Sequence, residues 1–240
     1  MARPDLRRND EMRRVKITPN YTMHAEGSVL IEVGNTKVIC NATVEDRVPP
    51  HVFGTGRGWV TAEYAMLPRA TNTRSRRDIS GLKLSGRSAE IQRLIGRSLR
   101  AVTDMEALGE RSIVVDCDVI QADGGTRCAS ITGGFIALWL ACKKLMDEGQ
   151  LRKMPLRTHV SAVSAGIFEN EAVLDLNYAE DSHAIVDCNI VMTGEGEFVE
   201  VQGTGESRPF QKDELQKLLS LGRKGTAKLC REQKKITGEL

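Results

Sequence analysis

Little in this chain announces a metal, a nucleotide cofactor or a membrane. No Walker A sequence occurs, no Ser-His-Asp spacing stands out, and the four histidines form no cluster. Six cysteines (Cys40, Cys117, Cys128, Cys142, Cys188, Cys230) are scattered, with no pair at metal-ligand spacing. Most lie in apolar contexts, so free buried thiols in a reducing cytoplasm are expected rather than disulfides or zinc. The start, Met1-Ala-Arg-Pro-Asp-Leu-Arg-Arg, is too polar for a secretory signal. The longest apolar run, Phe135 to Cys142, is too short to span a bilayer. A net charge of +2 does not by itself mark a nucleic-acid binder.

What is present is ample core material and an uneven charge. Hydrophobic content of 40% and charged content of 28% are ordinary for a globular protein, and 240 residues allow one large domain or two small ones. From Arg69 to Arg100 the chain carries nine Lys/Arg against two acids, Asp78 and Glu90. Eight of those nine are Arg, which suits forked recognition of phosphate.

The most informative stretch runs from Ile113 to Ser130. Ile113 to Gln121 has β-branched residues at five of nine positions and reads as a strand. Ile131, Phe135, Leu138, Trp139, Cys142 and Leu145 then recur at helical spacing. Between them, Asp123-Gly-Gly-Thr-Arg127 turns sharply and brings hydroxyls, a guanidinium and free amides to a helix N-terminus. A cation there is disfavoured by the helix dipole, so Arg127 points to a shared anion. An ordinary turn with a solvated Arg would carry the same letters.

Elsewhere the chain alternates strands and helices. A charged arm through Arg13-Arg14 is expected along the surface, followed by a hairpin of Ser28–Val33 and Thr36–Val44. The glycines of Gly54-Thr-Gly-Arg-Gly58 do not make a dinucleotide fingerprint, having G-x-G-x-G spacing and no strand leading into a helix. Trp59 to Met66 reads as a strand. The loop Leu67 to Asp78, with Arg69, Arg74, Arg76 and Arg77, admits two uses: a solvated segment or an arm that grips RNA. Ser85 to Val102 is an amphipathic helix with Ser85 as N-cap and Arg87 in its first turn, a second cation at a helix start. Arg93, Arg97 and Arg100 are expected to face solvent or a subunit contact.

Strands are expected at Thr158–Ile167, Ala172–Leu176, His183–Thr193 and Glu197–Gln202, joined as hairpins. Alternation in the third puts Ala184, Val186, Cys188, Ile190 and Met192 on one face and Asp187 and Asn189 on the other. Asp181 and Asp187, six residues apart at a strand entrance, can hold a divalent cation, handle protons, or simply be solvated. Two C-terminal helices are expected, one around Leu215–Leu221 and a charged one from Thr226 to Lys235. The halves look alike in plan, without a clear sequence repeat.

Several stretches taken together resemble the RNase PH family. They are Asn35-Thr-Lys-Val-Ile-Cys-Asn41, Glu45-Asp-Arg-Val-Pro-Pro50, Ala62-Glu-Tyr-Ala-Met-Leu-Pro-Arg-Ala-Thr-Asn72, Ser85-Gly-Arg87, Glu90-Ile-Gln-Arg-Leu-Ile-Gly-Arg97, Asp116 to Arg127 and Val201-Gln-Gly-Thr-Gly205. The resemblance implies an α+β RNase PH fold of two β-α halves with mixed sheets, forming a single catalytic domain over residues 1–240. It implies phosphate-dependent 3′-to-5′ trimming of tRNA precursors with release of nucleoside diphosphates, and nucleotide addition to RNA 3′ ends in reverse. By similarity, Arg87, Gly125, Thr126, Arg127 and Ser130 would bind inorganic phosphate. Asp181 and Asp187 would be catalytic and hold Mg²⁺ (or Mn²⁺), and Arg69, Arg74, Arg76 and Arg77 would grip tRNA. A cytoplasmic homohexameric ring is implied, with no membrane partner. One departure is visible: polynucleotide phosphorylase has a Lys two residues after its second acid, where this chain has Asn189. Two alternatives carry different chemistry, a ring subunit that only scaffolds RNA and a hydrolytic nuclease. The complete set of phosphate arginines and acids speaks against both.

Overall fold

The structure, a computed structural model, describes residues 3–77 and 85–240. Asp78 and Lys83 of the basic stretch lie outside the described residues. The first sheet is built from β1 (Val15–Pro19), β2 (Gly27–Val33), β3 (Thr36–Glu45), β4 (Trp59–Met66) and β5 (Ser112–Gln121), in the order β1-β2-β3-β5-β4. It is mixed, because β4 and β5 run parallel while the other pairs are antiparallel. A parallel neighbour needs a crossover, and α1 (Gly86–Ala101) with the short α2 (Met105–Leu108) supplies it. Ser85 caps α1 as expected, accepting from the Ser88 amide. The stripe Ile91, Leu94, Ile95, Leu99 and Val102 is buried to 1% exposure or less, so hydrophobic burial holds this helix to the sheet.

The second sheet, in the order β7-β6-β8-β9, comprises β6 (Val160–Phe168), β7 (Glu171–Leu174), β8 (Val186–Thr193) and β9 (Phe198–Gly205). All its pairings are antiparallel, so the mixed character expected of both sheets is confined to the first. Its hairpin connections hold, and a one-turn helix, α4 (Tyr178–Asp181), interrupts the path between β7 and β8.

Between the sheets runs α3 (Thr126–Asp147), which packs on β2, β3 and β5 on one side and on β6 on the other. That position explains why the helix is apolar around most of its circumference. Its length and composition would also suit a membrane span, but 83% of its apolar window is buried in the fold. The outer face of the second sheet is covered by α5 (Lys212–Thr237). Here the expectation of two helices fails. Gly222 and Gly225 lie within α5, buried against Ile190 and Val163, and the absence of side chains lets the helix approach the sheet. All six cysteines are buried and free.

The N-terminal arm also departs from expectation. Arg3 and Arg13 are buried rather than laid on the surface, because each finds a buried carboxylate, Glu180 and Asp175 respectively. Of the outer arginines of α1, Arg97 pairs with Glu200, whereas Arg100 lies over the Trp59 ring and donates to the Val60 carbonyl. Arg100 is therefore part of the α1–β4 packing rather than a free surface group.

Candidate functional site

One cavity of about 740 Å³ opens where β5 hands over to α3 and the two sheets meet. Arg87, Gly125, Thr126, Arg127, Asp181, Asp187 and Asn189 all line it. These residues are separated by up to 102 positions in the chain, and the topology brings them together for a simple reason. The end of β5 starts α3, α3 crosses to the second sheet, and β8 brings Asn189 to Cys128 near the start of that same helix.

The turn into α3 is made by Gly124 and Gly125, both at positive φ (77° and 67°). At Gly124 a side chain would also meet the Leu176 carbonyl at 2.5 Å, so only glycine fits. Gly125 is the N-cap and contributes no side-chain bond, leaving the first amides of α3 for something else. Thr126 is buried, and its hydroxyl lies 2.8 Å from the Tyr64 hydroxyl on β4. Arg127 reaches Gln202 Oε1 at 3.3 Å and Glu90 Oε1 at 3.4 Å, which sets its guanidinium between β9 and α1. Both distances are long, so these contacts steer the guanidinium without occupying it fully. Ser130 differs from the expectation. It is fully buried, its hydroxyl donates to the Thr126 carbonyl at 2.9 Å, and it stands behind the cavity wall. The helix turn places Ser130 one full turn inside α3, where it braces Thr126.

Asp181 ends α4 and Asp187 sits on the inner face of β8, as the alternation predicts. Burial pushes the Asp187 carboxyl up from its ordinary 3.8 to about 6, the charge of Asp181 adds to this, and Arg127 opposes it. Asp181 is also raised by burial, against the pull of Arg87 and Arg127. Asn189 donates to Asp187 Oδ2 at 3.1 Å and is itself positioned by the Cys128 thiol, 3.3 Å from its Oδ1. Burial raises the Cys128 thiol, so it stays protonated and acts as the donor. Asp187 Oδ1 is buried without a hydrogen-bond partner among the described residues. Two facing carboxylates and an orphaned carboxylate oxygen fit a hard divalent cation that takes its remaining ligands from water or phosphate. Among the described residues no third His, Cys, Asp or Glu joins them. Asp116 is likewise raised to about 6, by burial and then by Glu63, but it pairs with Glu63 in the first sheet and does not line the cavity.

The basic loop meets the cavity at one end only. Thr71, Asn72 and Thr73 form part of the wall, while Arg69, Arg74, Arg76 and Arg77 are exposed outside it. Arg69 donates to the Asn72 carbonyl at 3.2 Å. Sequence reasoning missed Arg13, Tyr64 and Tyr178. Tyr178 is 59% exposed at the cavity rim, and its backbone amide donates to Asp123 Oδ1 at 3.2 Å. None of the three carries a local signal, since an Arg in a charged arm and a Tyr in a strand or a one-turn helix are each commonplace.

Chemically, two arginines and a run of helix-start amides can hold a tetrahedral dianion, opposite two carboxylates able to carry a cation. Comparisons with known proteins agree with that chemistry. The family model "3′ exoribonuclease family, domain 1" matches residues 11–144, and "3′ exoribonuclease family, domain 2" matches residues 158–225. The chain is 57% identical over 239 residues to a protein named Ribonuclease PH from Bacillus pumilus, covering 99% of both chains. It is 58% identical over 238 residues to Ribonuclease PH from Listeria welshimeri, covering 99% of this chain and 96% of that one. Among solved structures, an Archaeoglobus fulgidus exosome with RNA bound to the active site superposes with a TM-score of 0.82 at 22% identity, covering 96% of this chain and 92% of that chain. An archaeal exosome core gives 0.79 at 23% identity, covering 97% and 91%. At these identities the two structures bear on fold alone, while the full-length relatives and both domain matches fix the lineage: this chain belongs to the RNase PH family of 3′ exoribonucleases.

Proposed function

We infer that this chain is a phosphate-dependent 3′-to-5′ exoribonuclease that trims tRNA precursors and other RNA 3′ ends. The carrying observation is one cavity lined by Arg87, Arg127, the α3 N-terminus, Asp181 and Asp187. A hydrolase needs such groups for the scissile phosphate alone, whereas two arginines and a full helix start can also hold an attacking phosphate.

In this reading inorganic phosphate sits on the amides from Gly125 onward, between Arg87 and Arg127, with Thr126 oriented by Tyr64. Ser130 serves indirectly, by bracing the Thr126 carbonyl. The terminal phosphodiester lies between this phosphate and the carboxylates. A phosphate oxygen attacks phosphorus, a P–O–P bond forms, and the bond to the RNA 3′ oxygen breaks. The proton lost by the attacking phosphate is matched by the one gained on that oxygen. The products are a nucleoside diphosphate and an RNA one nucleotide shorter, and because one phosphoryl linkage replaces another, the reaction also runs in reverse. Arg87 and Arg127 offset the charge that gathers on the equatorial oxygens. Asp181 and Asp187 would hold Mg²⁺ or Mn²⁺, which when bound neutralises further negative charge between them and the phosphates. Arg69, Arg74, Arg76 and Arg77 guide the RNA backbone towards the wall formed by Thr71–Thr73.

We further assign residues 1–240 to one catalytic domain, in a homohexameric ring in the cytoplasm. The domain reading is supported by a core in which Val160, Ala162 and Val191 of the second sheet join residues of the first. The ring is what membership of the family implies, and six free buried thiols support a reducing compartment.

The test is a 3′-extended tRNA incubated with the protein and Mg²⁺, with and without inorganic phosphate. Release of nucleoside diphosphates only with phosphate is expected. Monophosphates without phosphate would mean a hydrolase, and RNA retained without release would mean a scaffold. Arg87→Ala is expected to abolish phosphate-dependent release while RNA still binds.

A further inference from the structure

Arg13 is 7% exposed, and none of the roles above uses it. Its donors are divided between two groups. The backbone N–H, Nε and Nη2 bond the Asp175 carboxylate at 2.8, 3.0 and 2.7 Å. Nη1 donates to the Asp123 carbonyl, and Nη2 also reaches the Gly124 carbonyl at 3.4 Å. The Thr36 hydroxyl donates to the same Gly124 oxygen at 2.7 Å. Both carbonyls on the outer side of the turn are thus occupied.

Peptide geometry turns this into a statement about the other side. In a planar trans peptide the C=O and the following N–H point in opposite directions. Holding the Asp123 carbonyl on Arg13 therefore turns the Gly124 N–H away from Arg13, and holding the Gly124 carbonyl does the same for the Gly125 N–H. Two glycines at positive φ have no intrinsic preference for that arrangement, so it needs an external hold. The ion pair supplies it. Burial acts to raise the Asp175 carboxyl, but Arg13, with Arg7 adding to it, holds it below its ordinary value, so the pair stays charged.

The same arm holds the opposite wall. Arg3 forks onto Glu180 (Nε–Oε1 2.6 Å, Nη2–Oε2 2.8 Å), the residue before Asp181 in α4. Arg3 and Arg7 also donate to the Asp175 carbonyl at 3.1 and 2.9 Å. Buried charge of this kind contributes little net stability against an apolar substitute, and its best-attested use is to fix one arrangement.

We propose that the N-terminal arm is the positioning frame of the active site. Arg13 is its positioning residue for phosphate, holding the carbonyl side of the Asp123–Gly125 turn so that the amide side faces the ligand. This rests on the phosphorolytic reading, and the experiment separates the two.

Steady-state trimming of a 3′-extended tRNA is followed at varied inorganic phosphate and varied RNA, with thermal melting alongside, for the wild type, Arg13→Lys and Thr36→Val. Lysine keeps a cation opposite Asp175 but has no fork to reach both carbonyls. Its KM for phosphate is expected to rise about tenfold or more, with KM for RNA within about twofold of wild type. Thr36→Val keeps the side-chain shape but removes both a donor to the Gly124 carbonyl and the acceptor of the Asp123 amide, so about a threefold rise in KM for phosphate is expected. If Arg13→Lys does not fold, Thr36→Val carries the test by the same criterion. An unchanged KM for phosphate, or both KM values moving together with the melting temperature, would overturn the proposal. A wild type that releases no nucleoside diphosphates would overturn the phosphorolytic reading instead, and the phosphate role of the turn with it.

Discussion

Asp187→Asn should stabilise the protein while removing its activity. Raising a carboxyl from 3.8 to about 6 corresponds to roughly 3 kcal/mol favouring the protonated form. Residual solvent contact and relaxation reduce what stability records, and about 1–2 kcal/mol is expected from the neutral amide, which keeps the bond with Asn189. For a chain of this size that corresponds to a melting temperature higher by about 3–6 °C. The pH dependence follows from linkage. Asp187 binds its proton more tightly in the folded than in the unfolded state, so wild-type stability falls as pH climbs from about 4 to about 6. Below that window both states are protonated and the two proteins should melt alike. Above it the wild type carries the full penalty and the gap should be constant. The assay is thermal melting from pH 4 to 8 without phosphate or divalent cation, beside turnover at pH 7.5. Turnover should fall by about two orders of magnitude or more, as when one transition-state group is removed. Equal melting at pH 7.5, or a gap that ignores pH, would refute the view that Asp187 is held at the cost of burial and repulsion from Asp181.

Three further outcomes test other parts of the molecule. Tyr64→Phe removes the buried bond to Thr126, so a loss of about 1 kcal/mol in stability and a severalfold rise in KM for phosphate are expected in melting and kinetic assays. Replacing Arg74, Arg76 and Arg77 by Ala should weaken RNA binding regardless of RNA sequence. The slope of log affinity against log salt should fall by about two to three, read by titration at several salt concentrations. Gly222→Ala puts a methyl 2.4 Å from Ile190 Cδ1 in the packing of α5 on the second sheet. A destabilisation of about 1–3 kcal/mol is expected from denaturant unfolding, with phosphate KM unchanged in the surviving folded protein.

Local chemistry made some of this protein legible from its residues alone. The β-branched run before Gln121, the capped amphipathic helix from Ser85 and the glycine turn into α3 are each decided by neighbours in the chain, and all three stand where the sequence places them. Alternation along β8 likewise put Asp187 and Asn189 on one face without knowledge of what faces them. Other features depended on partners far away in sequence. Two C-terminal helices were expected where one runs through, and the close approach of Ile190 and Val163 gives Gly222 and Gly225 a packing use within it. Ser130 was expected at the phosphate by similarity, and the helix turn points its hydroxyl at the Thr126 carbonyl, a placement that only the fold decides. Arg3 and Arg13 read as solvated charges until Glu180 and Asp175 were brought to them across more than 160 residues. Sequence determined the elements and the chemical types of the site, because propensity, capping and alternation act over a few residues. Tertiary structure alone decided which charges are buried and which peptide groups face the cavity, because those depend on contacts that form only when the two sheets close on α3.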